Sequence, residues 1–419
     1  MVRPSGLFFV MSGSSAAGGV SHDFAGVRMT GPARVLVVGA SASGMSTVES
    51  LRRRGYAGEV VVLGDEPHAP YDRPPLSKQV LLGAWEPARA ALRPPEAVSA
   101  LAAGFVLGDP AVALDPVTQT VWTASGRELQ ADAIVIATGL RPRTLPDQEG
   151  LTGVHVLRTL DDALALRRDL SDGARVVVVG EGVLGAEITA TARTLGLDVT
   201  MTGPQRAPMA LQVGTRVSAA LADLHQERGV RLRLGDGVVG LTAEGTRVTG
   251  VRLSTGEVLP ADAVVVAIGA SPATEWLAGS GLRLDNGVVC DSRCRAAEGI
   301  YAVGDVARWH HERLGRLVRL ENRTNATMQA AAVAGVILGE DEPYVPVPYF
   351  WTDQFDAKLH VHGFLSADAD AEVVEGDVAD RRFVARYRSG GAVTGVLGWN
   401  MPKQARLRRA EIDDVPALL

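Results

Sequence analysis

Apolar residues in this chain fall into one plan that is used twice. Arg34-Val35-Leu36-Val37-Val38 is a short, almost continuous apolar run that ends in the glycine-rich turn Gly39-Ala40-Ser41-Ala42-Ser43-Gly44. Such a run, bounded by a turn, reads as a strand buried on both faces of a parallel sheet. The period then changes, with Met45, Val48 and Leu51 at helical spacing, which predicts a helix over 43–54 capped by Gly55. A second run, Val60-Val61-Val62-Leu63, follows. The plan restarts at Arg175, with the turn Gly180-Glu181-Gly182-Val183-Leu184-Gly185 and a helix expected over 184–195, capped by Gly196. Each unit has its own return strand, Ala133-Ile134-Val135-Ile136-Ala137-Thr138-Gly139 and Ala263-Val264-Val265-Val266-Ala267-Ile268-Gly269.

After the second copy the chain gives a short strand and turn, Ile300-Tyr301-Ala302-Val303-Gly304-Asp305, and a helix expected over 325–338. Beyond Asp341 the pattern becomes short, Pro-spaced strands carrying Trp and Phe, with a helical tail. The fold class expected is α/β: two Rossmann-like dinucleotide-binding domains plus a small C-terminal α+β domain. The second unit is inserted in the first. The expected boundaries are 32–153 with 276–341 for the first domain, 154–275 for the second and 342–419 for the third. Residues 1–31, rich in Ser, Gly and Ala, read as a disordered leader, with Met29 as an alternative start.

Composition narrows the function. The net charge is −6, which argues against nucleic acid as a partner. No apolar run reaches the length of a membrane span, so no membrane partner is expected. Two cysteines, Cys290 and Cys294, fit a reducing cytoplasm and read as small buried fillers. Neither belongs to a Cys-x₂-Cys or Cys-x₄-Cys pair, which disfavours a disulfide reductase. Only three of the 42 basic residues are lysines: Lys78, Lys358 and Lys403. His310 and His311 lack spaced partners, so no metal site is expected.

A glycine turn between strand and helix lets backbone approach a pyrophosphate and aims helix N–H groups at it. In the first turn Ser41 stands at the middle glycine position, and Glu66 lies where a Rossmann acid meets the adenosine ribose. The order of further segments is specific. Pro70-Tyr71-Asp72-Arg73-Pro74-Pro75-Leu76-Ser77-Lys78, Thr138-Gly139-Leu140-Arg141-Pro142-Arg143, Ala302-Val303-Gly304-Asp305 and Pro348-Tyr349-Phe350-Trp351-Thr352-Asp353-Gln354-Phe355 resemble the FAD-dependent ferredoxin and rubredoxin reductases of the putidaredoxin-reductase type. That family belongs to the pyridine nucleotide-disulfide oxidoreductases, with a glutathione-reductase-like architecture. The likeness covers about residues 33–410.

The resemblance implies FAD in the first unit and NAD(P)H in the second. Gly39, Ala42, Ser43 and Gly44 would hold the FAD pyrophosphate and Glu66 its ribose. Arg73 and Lys78 would lie by the flavin, Val112 by the adenine, and Thr138, Gly139 and Arg141 along the cofactor. Gly304 and Asp305 would meet the ribityl chain, and Trp351 would close the isoalloxazine pocket. Gly180, Gly182, Val183, Leu184, Gly185 and Gly269 would form the nicotinamide site. Glu187 matches the family glutamate that pairs with the lysine at position 78; the alternative is a solvated acid favoured by the helix dipole. These two are the expected catalytic pair.

Two positions depart from the family. Gly203 stands where an NADH-using enzyme carries an acid, leaving no carboxylate to repel a 2′-phosphate, while Arg206 is near enough to attract one. Either NADPH is accepted or the nicotinamide site is weakened. Arg323 stands where the family has an aromatic or apolar residue. It either raises the flavin potential or meets an acidic partner, or it is a surface arginine whose backbone alone touches FAD. The activity expected is hydride transfer from NAD(P)H to FAD and single-electron release to a [2Fe–2S] ferredoxin, serving a P450 or Rieske oxygenase. Arg308, Arg313, Arg316 and Arg319, or Lys403, Arg406, Arg408 and Arg409, are candidate docking clusters. A flavoenzyme acting directly on a small substrate or O₂, and a flavoprotein sensor, are the rivals. The protein is expected to be a monomer or homodimer.

Overall fold

The computed structural model describes residues 31–365 and 370–412. The expected leader, all but residue 31, lies outside them. Val35, Val37, Ile134 and Val135 are fully buried, as strands covered on both faces require. They belong to a six-stranded sheet ordered Arg295–Ala297, Ile300–Ala302, Ala133–Ile136, Arg34–Val38, Glu59–Leu63 and Gly104–Val106. Its strands therefore come from both sides of the second unit. The helices Ala42–Arg53 and Arg323–Ile337 pack together against it. The latter starts two residues earlier than expected, because the Asn322 side chain accepts the Asn325 N–H at 3.1 Å and caps it there.

The second unit repeats the plan in five parallel strands, ordered Arg231–Leu234, Asp198–Gly203, Arg175–Val179, Ala263–Val266 and Val154–His155. The likeness goes further than the glycine turns. Each unit also carries a three-stranded antiparallel meander, built from Ala111–Asp115, Thr120–Thr123 and Glu128–Gln130 in the first. In the second it is Val238–Glu244, Arg247–Leu253 and Val258–Pro260. The two return strands then run into one antiparallel pair, Leu140–Pro142 with Ala270–Pro272, which ties the units together just past Gly139 and Gly269.

The last strands form one antiparallel sheet, ordered Tyr349–Gln354, Ala357–Gly363, Ala392–Trp399, Arg382–Ser389 and Asp370–Asp377. Phe383, Tyr387 and Trp399 are fully buried in it. Tyr387 donates to the Val213 carbonyl at 2.6 Å, and His225 pairs with Gln354 at 2.9 Å. Both contacts seat the sheet on the helical segment Ala210–Glu227, which is broken at Gly214. Among the described residues, no helix is long and apolar enough to cross a membrane.

Candidate functional site

The first glycine turn is built by close approach. A Cβ on Gly39, whose φ is +123°, would lie 2.2 Å from the Ala137 carbonyl oxygen, and one on Gly44 would lie 1.9 Å from that of Gly39. Only glycine lets strand, turn and return strand converge there. Ser41 is the helix N-cap, with its side chain making no cap bond, so its hydroxyl remains available. Ala42, Ser43 and Gly44 then form the first helical turn. Gly304, at φ +73°, presses against it, since a Cβ there would meet the Ser43 hydroxyl at 2.6 Å.

A cavity opens beside this turn, lined by Gly39, Ser41, Glu66, Arg73, Thr138, Arg141 and Arg158 among others. Glu66 sits at the end of its strand, as the spacing requires. Its carboxylate accepts from the Tyr71 hydroxyl and, at 2.7 Å, from Arg73. A carboxylate has about four acceptor positions, so capacity for a ribose remains. The donors fit an ADP moiety: helix N–H groups for phosphate, carboxylate for hydroxyls, and glycines that leave the backbone bare.

The other expected residues are spread around this cavity. Thr138 donates to the Ala273 carbonyl at 2.8 Å. Arg141 pairs with Glu275 at 3.3 Å and is largely exposed. Val112 is half exposed, and its neighbours Pro110 and Ala111 supply the cavity wall. Asp305 faces Arg158 at 3.6 Å. Burial raises its carboxyl above the usual range; Arg158 opposes this shift and Glu321 reinforces it. Arg158, Tyr71 and Asp162 were not singled out from sequence as cofactor contacts, although all three line the cavity. Arg158 sits just after the crossing strand Val154–His155, where no recognisable motif marks it.

Lys78 and Glu187 meet. Lys78 lies on a wide, π-helical turn over Leu76–Val80, and its Nζ is 2.7 Å from Glu187 Oε2. Ser77 donates to the same oxygen at 2.6 Å, and Thr352 donates to Oε1 at 2.9 Å. Glu187 is 6% exposed, so it is a buried, fully engaged acceptor rather than a solvated helix acid. The knot joins the loop of the first unit, the helix Val183–Thr194 of the second and the strand Tyr349–Gln354 of the third. Trp351, adjacent to Thr352, points to the other face of that strand and stacks on Tyr349 at 6.0 Å between ring centroids.

The second glycine turn copies the first. Cβ atoms on Gly180 and Gly185 would lie 2.2 Å from the Ala267 oxygen and 1.9 Å from the Gly180 oxygen, while Gly182 has only Gln212 within reach, at 4.0 Å. Its bare side is open for a ligand. Val183 and Leu184 begin the helix, with Leu184 about one-third exposed, and Gly269 ends the return strand at φ +90°. The expectation that no carboxylate remains at the strand end is corrected. The Glu181 carboxylate stands over Gly203, in space that a side chain at 203 would fill. Sequence spacing along the strand could not reveal an acid contributed by the turn. Arg206 is exposed and makes no ion pair among the described residues.

Arg323 is held by Asp72 at 2.5 Å and by Thr327, so its charge is balanced inside the protein. The first docking cluster is largely engaged too: Arg308 with Asp285, and Arg319 with Glu321 at 2.7 Å. In the tail cluster Arg408 is bound to Glu375 and Glu411. Lys403, Arg406 and Arg409 instead line a surface pocket with Tyr349, His360 and His362. Cys290 and Cys294 are buried, with both thiols pushed up by burial, Cys294 to about 12. Among the described residues no group of three or more His, Cys, Asp or Glu is placed to hold a metal.

The family model described as pyridine nucleotide-disulphide oxidoreductase matches residues 33–330, and that described as reductase C-terminal matches 349–415. Rhodocoxin reductase of Rhodococcus erythropolis is 37% identical over 371 residues, 88% of this chain and 87% of that protein. The ferredoxin–NAD(+) reductase subunit of the benzene 1,2-dioxygenase system of Pseudomonas putida is 38% identical over 340 residues, 80% and 82% of the two chains. The crystal structure of the covalent putidaredoxin reductase–putidaredoxin complex superposes with a TM-score of 0.86 at 34% identity, covering 91% of this chain and 94% of that one.

Proposed function

Because the chain belongs to the pyridine nucleotide-disulphide oxidoreductase family, we propose that it is an NAD(P)H-dependent ferredoxin reductase supplying a P450 or Rieske oxygenase. The family makes it an oxidoreductase that uses FAD and NAD(P)H. The observation that carries the reading is the pair of glycine turns in one chain, bridged by the buried Lys78–Glu187 contact. The similarity to the reductases of rhodocoxin and of the benzene dioxygenase system, over 88% and 80% of this chain, supports it.

FAD supplies conversion of a two-electron hydride from nicotinamide into single electrons for an iron–sulfur centre. The chain's own task is placement. Ala42, Ser43 and Gly44 would present backbone N–H groups to the pyrophosphate, and Gly39, whose own N–H is donated to the Leu63 carbonyl at 2.7 Å, would leave the turn bare for it. Glu66 would take ribose hydroxyls, and Asp305 the ribityl chain. Glu187 holds the Lys78 ammonium in position, and with FAD bound such a fixed cation would favour negative charge at the flavin. Thr138, Gly139 and Arg141 border the cofactor channel, and Trp351 covers its ring end. Gly180, Gly182, Val183, Leu184 and Gly185 seat the nicotinamide dinucleotide. We assign 32–153 with 276–341 to the FAD unit, 154–275 to the nicotinamide unit and 342–419 to the interface domain.

Electron output needs a face for an acidic partner. Lys403, Arg406 and Arg409, grouped at one pocket, are the best placed. The partner proposed is a [2Fe–2S] ferredoxin, and the setting a reducing cytoplasm with the protein a monomer or homodimer. The departures at Gly203 and Arg323 would favour the direct-substrate reading, but Arg323 is neutralised by Asp72 and a carboxylate stands over Gly203. Cytochrome c reduction with NAD(P)H separates the readings. A ferredoxin reductase requires added ferredoxin for a fast rate, and a rate indifferent to ferredoxin would reject it.

A further inference from the structure

The end of the strand Asp198–Gly203 has no side chain of its own, yet it is not without charge. A Cβ on Gly203 would lie 1.6 Å from Glu181 Oε2 and 2.6 Å from Glu181 Cδ. The carboxylate thus occupies the volume that any residue other than glycine would claim. It is fixed there from several directions. Glu181 Oε1 accepts the Gln205 N–H at 3.1 Å, the Glu181 carbonyl accepts the Met209 N–H at 2.7 Å, and the Gly180 N–H donates to the Thr202 carbonyl at 2.8 Å. Glu181 is 7% exposed. Its Oε2 receives no hydrogen bond from any described residue, so one acceptor of a positioned carboxylate is left over at the mouth of the glycine turn.

We infer that Glu181 is the specificity-determining acid of the second dinucleotide site, reading the adenosine ribose hydroxyls from the glycine turn and selecting NADH over NADPH. This rests on the reading of the second unit as the nicotinamide site. An acid at a strand end discriminates because its carboxylate accepts from the 2′-hydroxyl and repels a 2′-phosphate. Both properties belong to the carboxylate's position, not to the residue that delivers it. Gly203 and Glu181 therefore act as one steric pair: the small residue makes room for the acid reaching over from the turn. Arg206 is the opposing influence. It is exposed and unpaired among the described residues, so it keeps its counter-ions in water, whereas Glu181 is desolvated and rigid and so has the larger effect at the ribose.

The test is equilibrium binding of ADP-ribose and of ADP-ribose 2′-phosphate to the FAD-loaded protein by titration calorimetry, without turnover. Wild type should favour ADP-ribose by about tenfold or more, the size of one charge-assisted hydrogen bond. Glu181→Gln keeps an oxygen for the Gln205 N–H but removes the charge, and should reduce that preference by about tenfold. Gly203→Ala leaves Glu181 in the chain but drives its carboxylate off, and should weaken ADP-ribose in the same direction. An unchanged ratio in both variants would overturn the assignment while leaving the dinucleotide site intact. Failure of wild type to bind either ligand would overturn the site reading, and this inference with it.

Discussion

Lys78 Nζ lies 2.7 Å from Glu187 Oε2, across the boundary between the two nucleotide-binding units. Their side chains are 13% and 8% exposed. Ser77 and Thr352 complete the carboxylate's shell, so one buried acid organises the loop, the second glycine-turn helix and the C-terminal sheet. A buried pair of this kind is poor evidence for net stability but strong evidence for fixed geometry.

Breaking that pair should be costly. Glu187→Gln leaves the Lys78 ammonium without a counter-charge and turns an amide donor toward other donors. A loss of about 3 kcal/mol in urea unfolding is expected, together with slower flavin reduction by nicotinamide. The discriminating readout is the flavin midpoint potential, which should rise, because loss of the carboxylate leaves the proposed ring-side cation uncompensated. An unshifted potential would make the pair purely structural.

Asp305 carries strain that bound FAD should relieve. Burial raises its carboxyl pKa, so ionised Asp305 is held at a disadvantage in the protein without cofactor. Asp305→Asn should leave the apo-protein melting temperature unchanged or higher. The same variant should weaken FAD binding by about tenfold, measured by flavin titration of apo-protein. A variant that purifies fully flavinylated with wild-type affinity would remove Asp305 from the ribityl site.

The pocket on the C-terminal face holds a histidine kept neutral. Burial, Arg409 and His360 lower the His362 pKa from 6.5 to about 4. Because the folded value is depressed, the unfolded chain binds the extra proton between these limits. The stability associated with neutral His362 is complete above about pH 6.5 and is lost as the pH falls toward 4. Urea unfolding of wild type should therefore lose on the order of 2 kcal/mol more than His362→Gln across that window. Parallel pH profiles would contradict the shift.

Docking should be a matter of charge at the same face. Replacing Lys403 and Arg406 together by Glu should raise the ferredoxin KM by about tenfold at low salt, an effect that fades as salt rises. Flavin reduction by nicotinamide should be untouched. Reversing Arg308, already paired with Asp285, should matter much less to ferredoxin and more to folding. Equal effects from the two sites would argue against a single docking face.

Much of this was legible in the chain because its strongest signals are local. Val35-Leu36-Val37-Val38 and its copy Val176-Val177-Val178-Val179 declare buried parallel strands, and the glycines after them declare a turn that only glycine can close. The pairing of Lys78 with Glu187 came through the family likeness, since nothing in spacing brings residues so far apart together. What stayed hidden are contacts set by tertiary approach. Glu181 crossing over Gly203, Asp72 neutralising Arg323, and Arg158 reaching Asp305 all join segments whose proximity no periodicity encodes. Of the meanders only the strand-like run Ala111-Val112-Ala113-Leu114 stands out in the sequence; their other strands are too short or too mixed in polarity.

This chain passes electrons from a nicotinamide donor through FAD to a ferredoxin. An anaerobic stopped-flow record of the FAD-loaded protein, mixed first with NADH and then with an oxidised [2Fe–2S] ferredoxin, tests it most directly. Fast bleaching of the flavin absorbance is expected in the first mix and its return, with matching ferredoxin reduction, in the second. Flavin that does not bleach, or that bleaches and then ignores the ferredoxin, would contradict it.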